Sequence, residues 1–310
     1  MIDINKAIEA LDWKREPRGL YEPIEYTLSL GGKRLRPLLA LMAAEIFGGK
    51  EEEVLPVALA LEVFHNFTLL HDDVMDKAQV RRGKPCVHIH WNENTAILSG
   101  DQMLIEAYKL LSQVSPDRLP TVLAMFNKMA AEVCEGQQYD VDFETKDDVT
   151  IDDYIMMITL KTAVLLATAL RLGAYMSGAS DAEQDALYQY GIEIGIAFQI
   201  KDDLLDCYSD PETFGKRIGG DILDNKKTYL WLTATALSPS FASMPFRSMD
   251  GQKKIDAVLA EYERLGVKQI AVSEMEKHTR AALNQLADLP PVNAVRSLQF
   301  LAENLLNREI

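Results

Sequence analysis

The stretch that decides the fold is VLPVALALEVFHNFTLLHDDVMD, residues 54–76. From Val54 to Leu70 apolar side chains fall on nearly every face of a helix, the pattern of an element buried on all sides. The run then ends in three carboxylates, Asp72, Asp73 and Asp76. A second stretch repeats the design: Phe198-Gln199-Ile200-Lys201-Asp202-Asp203-Leu204-Leu205-Asp206 also closes an apolar helix with a DDxxD.

Helical periodicity extends outward from these two points. Leu123–Phe143, Thr150–Met176 and Asp181–Asp206 carry apolar residues at helical spacing. Glycines stand where helices should end, at Gly31-Gly32, Gly48-Gly49, Gly178 and Gly219-Gly220, and Ser180-Asp181 offers an N-cap. Nothing reads as repeated βαβ units, and no linker is long enough to separate two domains. Ser238–Met249 is loop-like and is expected to join two helices. With 310 residues, 48% hydrophobic and 25% charged, the chain has material for one large core. The expectation is a single all-α domain over 1–310.

Lys plus Arg number 32 and Asp plus Glu 47, a formal charge of −15. Such a balance opposes binding to nucleic acid or to an anionic membrane. Cys86, Cys134 and Cys207 are far apart and form no CxxC pair, which argues against a disulfide framework or a structural zinc site. The N-terminal MIDINKAIEALDWK lacks the basic and apolar segments of a signal peptide. The longest uncharged run, Thr228–Phe246, is broken by Pro239 and Pro245 and is not read as a membrane span. A cytoplasmic protein with no membrane span is expected.

On a helix, Asp72 and Asp73 both reach Asp76 at spacings of four and three, and Asp202, Asp203 and Asp206 repeat that geometry. Like charges so placed destabilise a helix by about 0.2–0.5 kcal/mol per pair. A solvated acidic face would alternate with polar residues, whereas each cluster here ends a strongly apolar run. That context asks for a compensating cation, and all-oxygen ligands favour a hard ion. Mg²⁺ usually takes one or two carboxylates plus substrate phosphates. Cationic groups suited to phosphate occur nearby: Gly31-Gly32-Lys33-Arg34-Leu35-Arg36-Pro37, Arg81-Arg82-Gly83-Lys84-Pro85, Lys216-Arg217 and Lys226-Lys227. Any one basic pair alone is a surface charge. Lys161-Thr162, however, interrupts an apolar helix, where a lysine must snorkel out or meet an anion.

Together these elements resemble the trans-isoprenyl diphosphate synthases. Gly136-Gln137-Gln138-Tyr139-Asp140 resembles a further element of that family, as do Gly215-Lys216 through Asp221 and Asp224-Asn225-Lys226. The matches run in order from about residue 31 to 230. The resemblance implies antiparallel helices around a deep central cavity and an enzyme joining isopentenyl diphosphate head to tail to an allylic diphosphate (dimethylallyl, geranyl or farnesyl). It implies Mg²⁺, about three ions per site, held mainly by Asp72, Asp76 and Asp202 with Asp73, Asp203 and Asp206 in support. Arg81, Lys161, Lys216 and Lys226 resemble the cations for the allylic diphosphate; Lys33, Arg36, His65 and Arg82 resemble the isopentenyl diphosphate pocket. Thr162 and Gln199 occupy positions whose oxygens face the developing carbocation. Family members are commonly homodimers, so a homodimer is expected.

In this family the residues just before the first DDxxD floor the tunnel that holds the growing chain. Here they are Phe67 and Thr68. An aromatic stop, without the two-residue insertion typical of many bacterial farnesyl diphosphate synthases, favours the twenty-carbon geranylgeranyl diphosphate over the fifteen-carbon farnesyl diphosphate. Cys86 departs from the Thr that relatives often carry there, and Arg217 lengthens the stretch before Asp221. A phosphohydrolase of the HD type would use His65, His71 and Asp72 but leave Asp202–Asp206, Lys161 and Lys226 unexplained. A terpene cyclase usually mixes Asn, Ser or Thr into its second metal motif, and a non-catalytic synthase subunit tends to lose a motif that this chain keeps. His88-x-His90 lacks further ligands and reads as packing.

Overall fold

The structure, a computed structural model, describes residues 2–209, 219–249 and 251–307. It is all-α as expected, about 76% helical. Among the described residues, extended structure is confined to a small antiparallel hairpin pairing β1 (Val80–Arg81) with β2 (Lys84–Pro85).

Contacts gather into two compact units, residues 1–127 with 168–185, and residues 128–167 with 186–310. The first contains α1 (Ile4–Glu9), α2 (Arg18–Ser29), α3 (Leu35–Ile46), α4 (Glu51–Met75), α5 (Val87–His90) and α6 (Glu93–Leu111). Helix α4 packs against α3 and α6. Val54, Val57, Ala58, Ala60, Leu61 and Val63 are fully buried, as the all-round apolar pattern requires. Three further helices, α7 (Leu119–Thr145), α9 (Val164–Met176) and α10 (Asp181–Tyr208), contribute residues to both units.

The second unit also holds α8 (Ile151–Ile158), α11 (Gly220–Leu223), α12 (Tyr229–Leu237), α13 (Pro239–Ala242), α14 (Gly251–Leu265), α15 (Val267–Gln285) and α16 (Asn293–Asn307). Its core collects Phe143, Tyr154, Ile200, Leu204, Leu230, Val258, Tyr262 and Met275. The segment read as a loop from Ser238 does join two helices, but it is itself wound into α13 and a 3₁₀ turn over Pro245–Ser248. Phe241 and Phe246 pack there against Trp231, so burial of aromatic rings organises a stretch that composition alone reads as irregular.

The stretch Thr150–Met176, read as one helix, contains a break in its regular winding. Thr150 and Asp153 form a reciprocal capping box that starts α8. A π-turn over Thr159–Ala163 then inserts before α9. Such turns have no dependable sequence signal and often mark functional positions. Close contacts surround it. A Cβ on Gly136 would lie 2.3 Å from the Lys161 amide nitrogen, and one on Gly195 would lie 2.5 Å from the Ala163 Cα. Glycine at both places lets α7 and α10 approach the π-turn backbone to backbone.

Two helical stretches, Glu51–Met75 and Ile151–Met176, are long and apolar enough to cross a membrane by length and composition. In each, 61% of the apolar window is buried inside the protein, as in the core helices of a soluble fold.

Candidate active site

The first DDxxD closes α4. Asp72 and Asp73 lie in its last turn, and Asp76 is the C-cap residue whose N–H donates to the Asp72 carbonyl. The hairpin brings Arg81 to this end. Its Nε donates to both carboxylate oxygens of Asp73 at 2.8 Å, and its second guanidinium arm lies 2.6 Å from Asp73 and 3.9 Å from Asp72. Burial pulls the Arg81 pKa down, but the Asp73 hydrogen bond and the two carboxylate charges outweigh it and hold the group firmly protonated. Cys86 sits beside the same pair, and burial with the Asp73 charge pushes its thiol up to about 12, so it is an inert thiol here.

Three of the four residues matched to the isopentenyl diphosphate pocket come together on the same unit. Burial holds the His65 imidazole well below its usual value, helped by the charges of Arg36, Arg82, Arg81 and Arg34. Arg36 is lowered to about 10 by burial, with Arg82 adding repulsion, and its buried Nε–H has no acceptor. Arg82 is also lowered, by burial first and then by Arg34 and Arg81. Mutually repelling guanidiniums around a neutral imidazole form a place prepared for an anion. Lys33, the fourth, is exposed.

The glycine pair explains how Arg82 reaches this place. Arg82 donates to the Gly31 carbonyl. Gly32 has φ 129°, and a Cβ there would lie 2.7–2.9 Å from the Arg82 guanidinium. Arg34, quoted in the sequence only as part of a basic run, is instead a buried structural ion. It lies 2.7 Å from Glu62, donates to the Leu28 carbonyl at 2.5 Å, and has a left-handed φ of 47°. Asn66 donates to Glu62 at 3.0 Å. Glu62 as the single charge within the apolar run is the signal that points to a buried partner.

Phe67 is buried, its ring 5.5 Å from Phe64 and 4.8 Å from His71. Thr68 is half-buried and donates to the His65 carbonyl.

The second DDxxD ends α10 and lines a cleft with about 760 Å³ of empty space, part of it open to solvent. Asp202, Asp203 and Asp206 share its wall with Asp140, Asp221, Lys161, Thr162, Gln199, Lys226 and Lys227. Asp203 Oδ2 accepts from the Tyr154 hydroxyl at 2.6 Å and from the Tyr229 N–H at 3.0 Å. Burial pushes its pKa up to about 8, with Asp221 and Asp202 adding like-charge repulsion against the lowering effect of those two hydrogen bonds. Asp206 Oδ2 accepts from the Asp221 N–H at 3.2 Å, and its carbonyl accepts from Gly219, so Asp206 fixes the start of α11.

Lys161 lies within the π-turn and donates to Asp140 Oδ2 at 2.6 Å. Thr162 Oγ1 lies 3.4 Å from Gln199 Oε1. Lys226 is exposed, 3.7 Å from Asp221. Buried Lys254 donates to Leu223 and Asn225 and anchors the turn that carries Lys226. Lys216 lies outside the described residues. Asp140 and Asp221 stand within family-like elements of the sequence, but the resemblance assigns them no role. Nothing in their spacing announces that Asp140 meets Lys161, because the pairing is made by two separate helices.

The donor set fits a hard cation. Five carboxylates against three lysines line the second cleft, and every candidate ligand is a carboxylate oxygen. No group of three His, Cys, Asp or Glu side chains among the described residues is gathered into a ready-made metal cage.

An all-α chain with two aspartate-ended helices and a guanidinium cluster defines the class, a prenyltransferase built to handle diphosphates. Residues 17–261 match the Polyprenyl synthetase family, and the chain belongs to it. It is 43% identical to the geranylgeranyl diphosphate synthase of Methanosarcina mazei, over 99% of this chain and 95% of that one. It is similar to a crystal structure of a geranylgeranyl pyrophosphate synthase with TM-score 0.91 and 42% identity, each chain covered completely at 100%. It also resembles the Caulobacter crescentus polyprenyl synthase solved with calcium and isoprenyl diphosphate, at TM-score 0.88 and 29% identity, covering 99% of this chain and 94% of that one.

Proposed function

We propose that residues 1–310 work as one prenyl synthase domain that condenses isopentenyl diphosphate with an allylic diphosphate and releases geranylgeranyl diphosphate. The observation that carries the reading is the cluster of Arg36, His65 and Arg82, where the Glu62 and Asp73 charges offset only part of the burial and mutual repulsion, on the unit that bears the first DDxxD. The similarity to geranylgeranyl diphosphate synthases supports the product.

Arg36, Arg82 and neutral His65 bind and orient the diphosphate of isopentenyl diphosphate, with exposed Lys33 closing on it from the glycine loop. By the family resemblance, Asp72, Asp76 and Asp202 would be the main ligands for Mg²⁺, about three ions per site, with Asp203 and Asp206 in support. Bound Mg²⁺ supplies neutralisation of the allylic diphosphate charge, which makes that group able to leave. Asp73 acts by holding Arg81 in place. Arg81, Lys161, Lys216 and Lys226 add protein charge to the departing group. Two unit charges about 4 Å apart at an effective dielectric of about 20 interact by about 4 kcal/mol, so a few such contacts account for much of the barrier reduction. As the allylic C–O bond breaks, Thr162 and Gln199 place oxygens near the cation. Surrounding apolar side chains keep water away from it. The isopentenyl double bond forms the new C–C bond, and the released diphosphate accepts the proton that is lost.

Phe67, backed by Phe64, is the proposed floor that ends elongation at twenty carbons, with Thr68 beside it. An exposed apolar stripe on α6, comprising Ile97, Leu98, Ile105 and Tyr108, supports the homodimer. A cytoplasmic location is consistent with the buried character of both long apolar helices.

The test is incubation of the protein with Mg²⁺, radiolabelled isopentenyl diphosphate and each short allylic diphosphate, followed by sizing of the products. Twenty-carbon product is expected, and chelation should abolish it. Elongation stopping at fifteen carbons would establish the farnesyl alternative, and no incorporation with any primer would overturn the synthase reading. Phe67→Ala is expected to lengthen the product and to cost about 3–5 kcal/mol of stability. Unchanged product length in a folded Phe67→Ala protein removes the floor assignment.

A further inference from the structure

The proposed chemistry gives no task to Glu62. It stands one turn before His65 on α4, and α4 packs against α3, the helix that carries Arg36. Glu62 is only 2% exposed. A carboxylate so deep in an apolar run is costly unless its charge is put to use.

The pairing with Arg34 does not account for that charge. Glu62 Oε1 takes the Arg34 guanidinium at 2.7 Å and the Asn66 amide at 3.0 Å. Oε2 is buried and has no hydrogen-bond partner. Arg34 directs its other donors elsewhere, Nε to Asn5 at 3.3 Å and Nη2 to the Leu28 carbonyl at 2.5 Å. The two-oxygen contact that Arg81 makes with Asp73 is therefore absent here. A neutral amide oxygen could serve the same two donors.

The charge of Glu62 reaches further than its hydrogen bonds. Burial lowers both Arg36 and Arg82, and Glu62 is a charge that pulls each of them back up. Asp73 also acts on Arg82, but Arg81 already holds it. The buried Arg36 Nε–H has no acceptor, so Glu62 acts on it through space. The pocket thus already feels part of the negative charge that a diphosphate would bring.

That balance matters because of where the diphosphate must go. In head-to-tail condensation the product keeps the diphosphate that entered on isopentenyl diphosphate. It has to leave this pocket before the product can serve as the next allylic substrate. A pocket of unopposed positive charge would hold it back.

We propose that Glu62 is a built-in counter-anion that limits how tightly the pocket of Arg36, His65 and Arg82 holds a diphosphate. It is a positioning residue, acting through the two guanidiniums without touching the substrate. The inference rests on the proposed prenyl transfer for the identity of the ligand.

Isothermal titration of the chelator-treated, full-length protein with isopentenyl diphosphate tests it. Glu62→Gln keeps an acceptor for Arg34 and Asn66 but removes the charge, and it should tighten binding about tenfold. The same variant should have a lower melting temperature, because Arg34 loses its counter-charge. Those opposite signs are the signature, since a merely structural Glu62 would lose stability and affinity together. Glu62→Asp keeps the charge while disturbing the packing, so its affinity should stay within about twofold of the unmutated protein. Weaker or unchanged binding in folded Glu62→Gln overturns the inference, as does equal tightening in both variants. If Glu62→Gln does not fold alone, it is measured in the Arg34→Gln background, where it should bind about tenfold tighter than Arg34→Gln itself. No gain there also overturns the inference. Failure of the unmutated protein to bind isopentenyl diphosphate is a separate result, which removes the pocket reading and this inference with it.

Discussion

At the first DDxxD the charge of Asp73 is taken up by the protein itself, through a two-oxygen contact with Arg81. At the second, Asp203 has a tyrosine hydroxyl and a backbone N–H instead, and it faces Asp221 and Asp202. The same five-residue pattern thus ends two buried helices in opposite electrostatic settings. The first region gathers excess positive charge around Arg36, His65 and Arg82, while the second gathers excess negative charge in its cleft. A repeated motif specifies which oxygens are offered. The neighbours decide whether those oxygens are already neutralised or still require a cation.

The largest effect should come from the carboxylates assigned to the cation in each region. Asp72→Asn and Asp202→Asn are each expected to lower kcat/KM for prenyl transfer about thousandfold, a loss of about 4 kcal/mol in transition-state stabilisation. Both variants should also need more Mg²⁺ for half-maximal rate. A loss below tenfold in either one would break the symmetry of role that the motif pair suggests.

Next in size are the two glycines that permit close approach, and they should behave differently. Gly136→Ala sets a methyl group against the Lys161 backbone at 2.3 Å, where neither helix can yield cheaply. It is expected to cost about 1–3 kcal/mol of stability and to slow turnover by displacing Lys161. Gly32→Ala meets only the movable end of Arg82, but at a φ of 129° that suits glycine. Its expected signature is a raised KM for isopentenyl diphosphate with a smaller stability loss. Chemical denaturation and steady-state kinetics on both separate these outcomes, and equal effects would remove the distinction between backbone and side-chain contact.

Much of this was readable from residue order, and the rest failed for definite reasons. The buried α4 announces itself because its apolar residues cover every face, and the DDxxD endings stand out because carboxylates rarely follow such a run. The π-turn at Thr159–Ala163 was not legible, since it depends on Gly136 and Gly195 approaching from other helices. The Lys161–Asp140 contact is hidden for the same reason. Arg34 was misleading because a basic run reads as a ligand surface, whereas a left-handed φ and the Glu62 pair make it an internal brace. Local pattern reports periodicity and composition. Pairings between distant elements become visible only when the helices are packed.

The smallest expected effect is also the sharpest test of the electrostatic contrast, because the two regions should respond to pH with opposite signs. His65 has a folded pKa held below the unfolded value of about 6.5. Its stabilising contribution is therefore present above about pH 6.5 and is lost as pH falls through the folded value. Asp203 is raised to about 8 from an unfolded value near 3.8. Its contribution is full below that unfolded value and is lost as pH rises through about 8. In chelator-treated protein, His65→Gln should flatten the acid limb of Tm against pH, and Asp203→Asn should flatten the alkaline limb, each by a few degrees. Added Mg²⁺ should reproduce the second effect in the unmutated chain, because a bound cation favours the ionised carboxylate. If both substitutions flattened the same limb, the two motifs would share one electrostatic environment and the contrast drawn from Arg81 and Asp221 would fail.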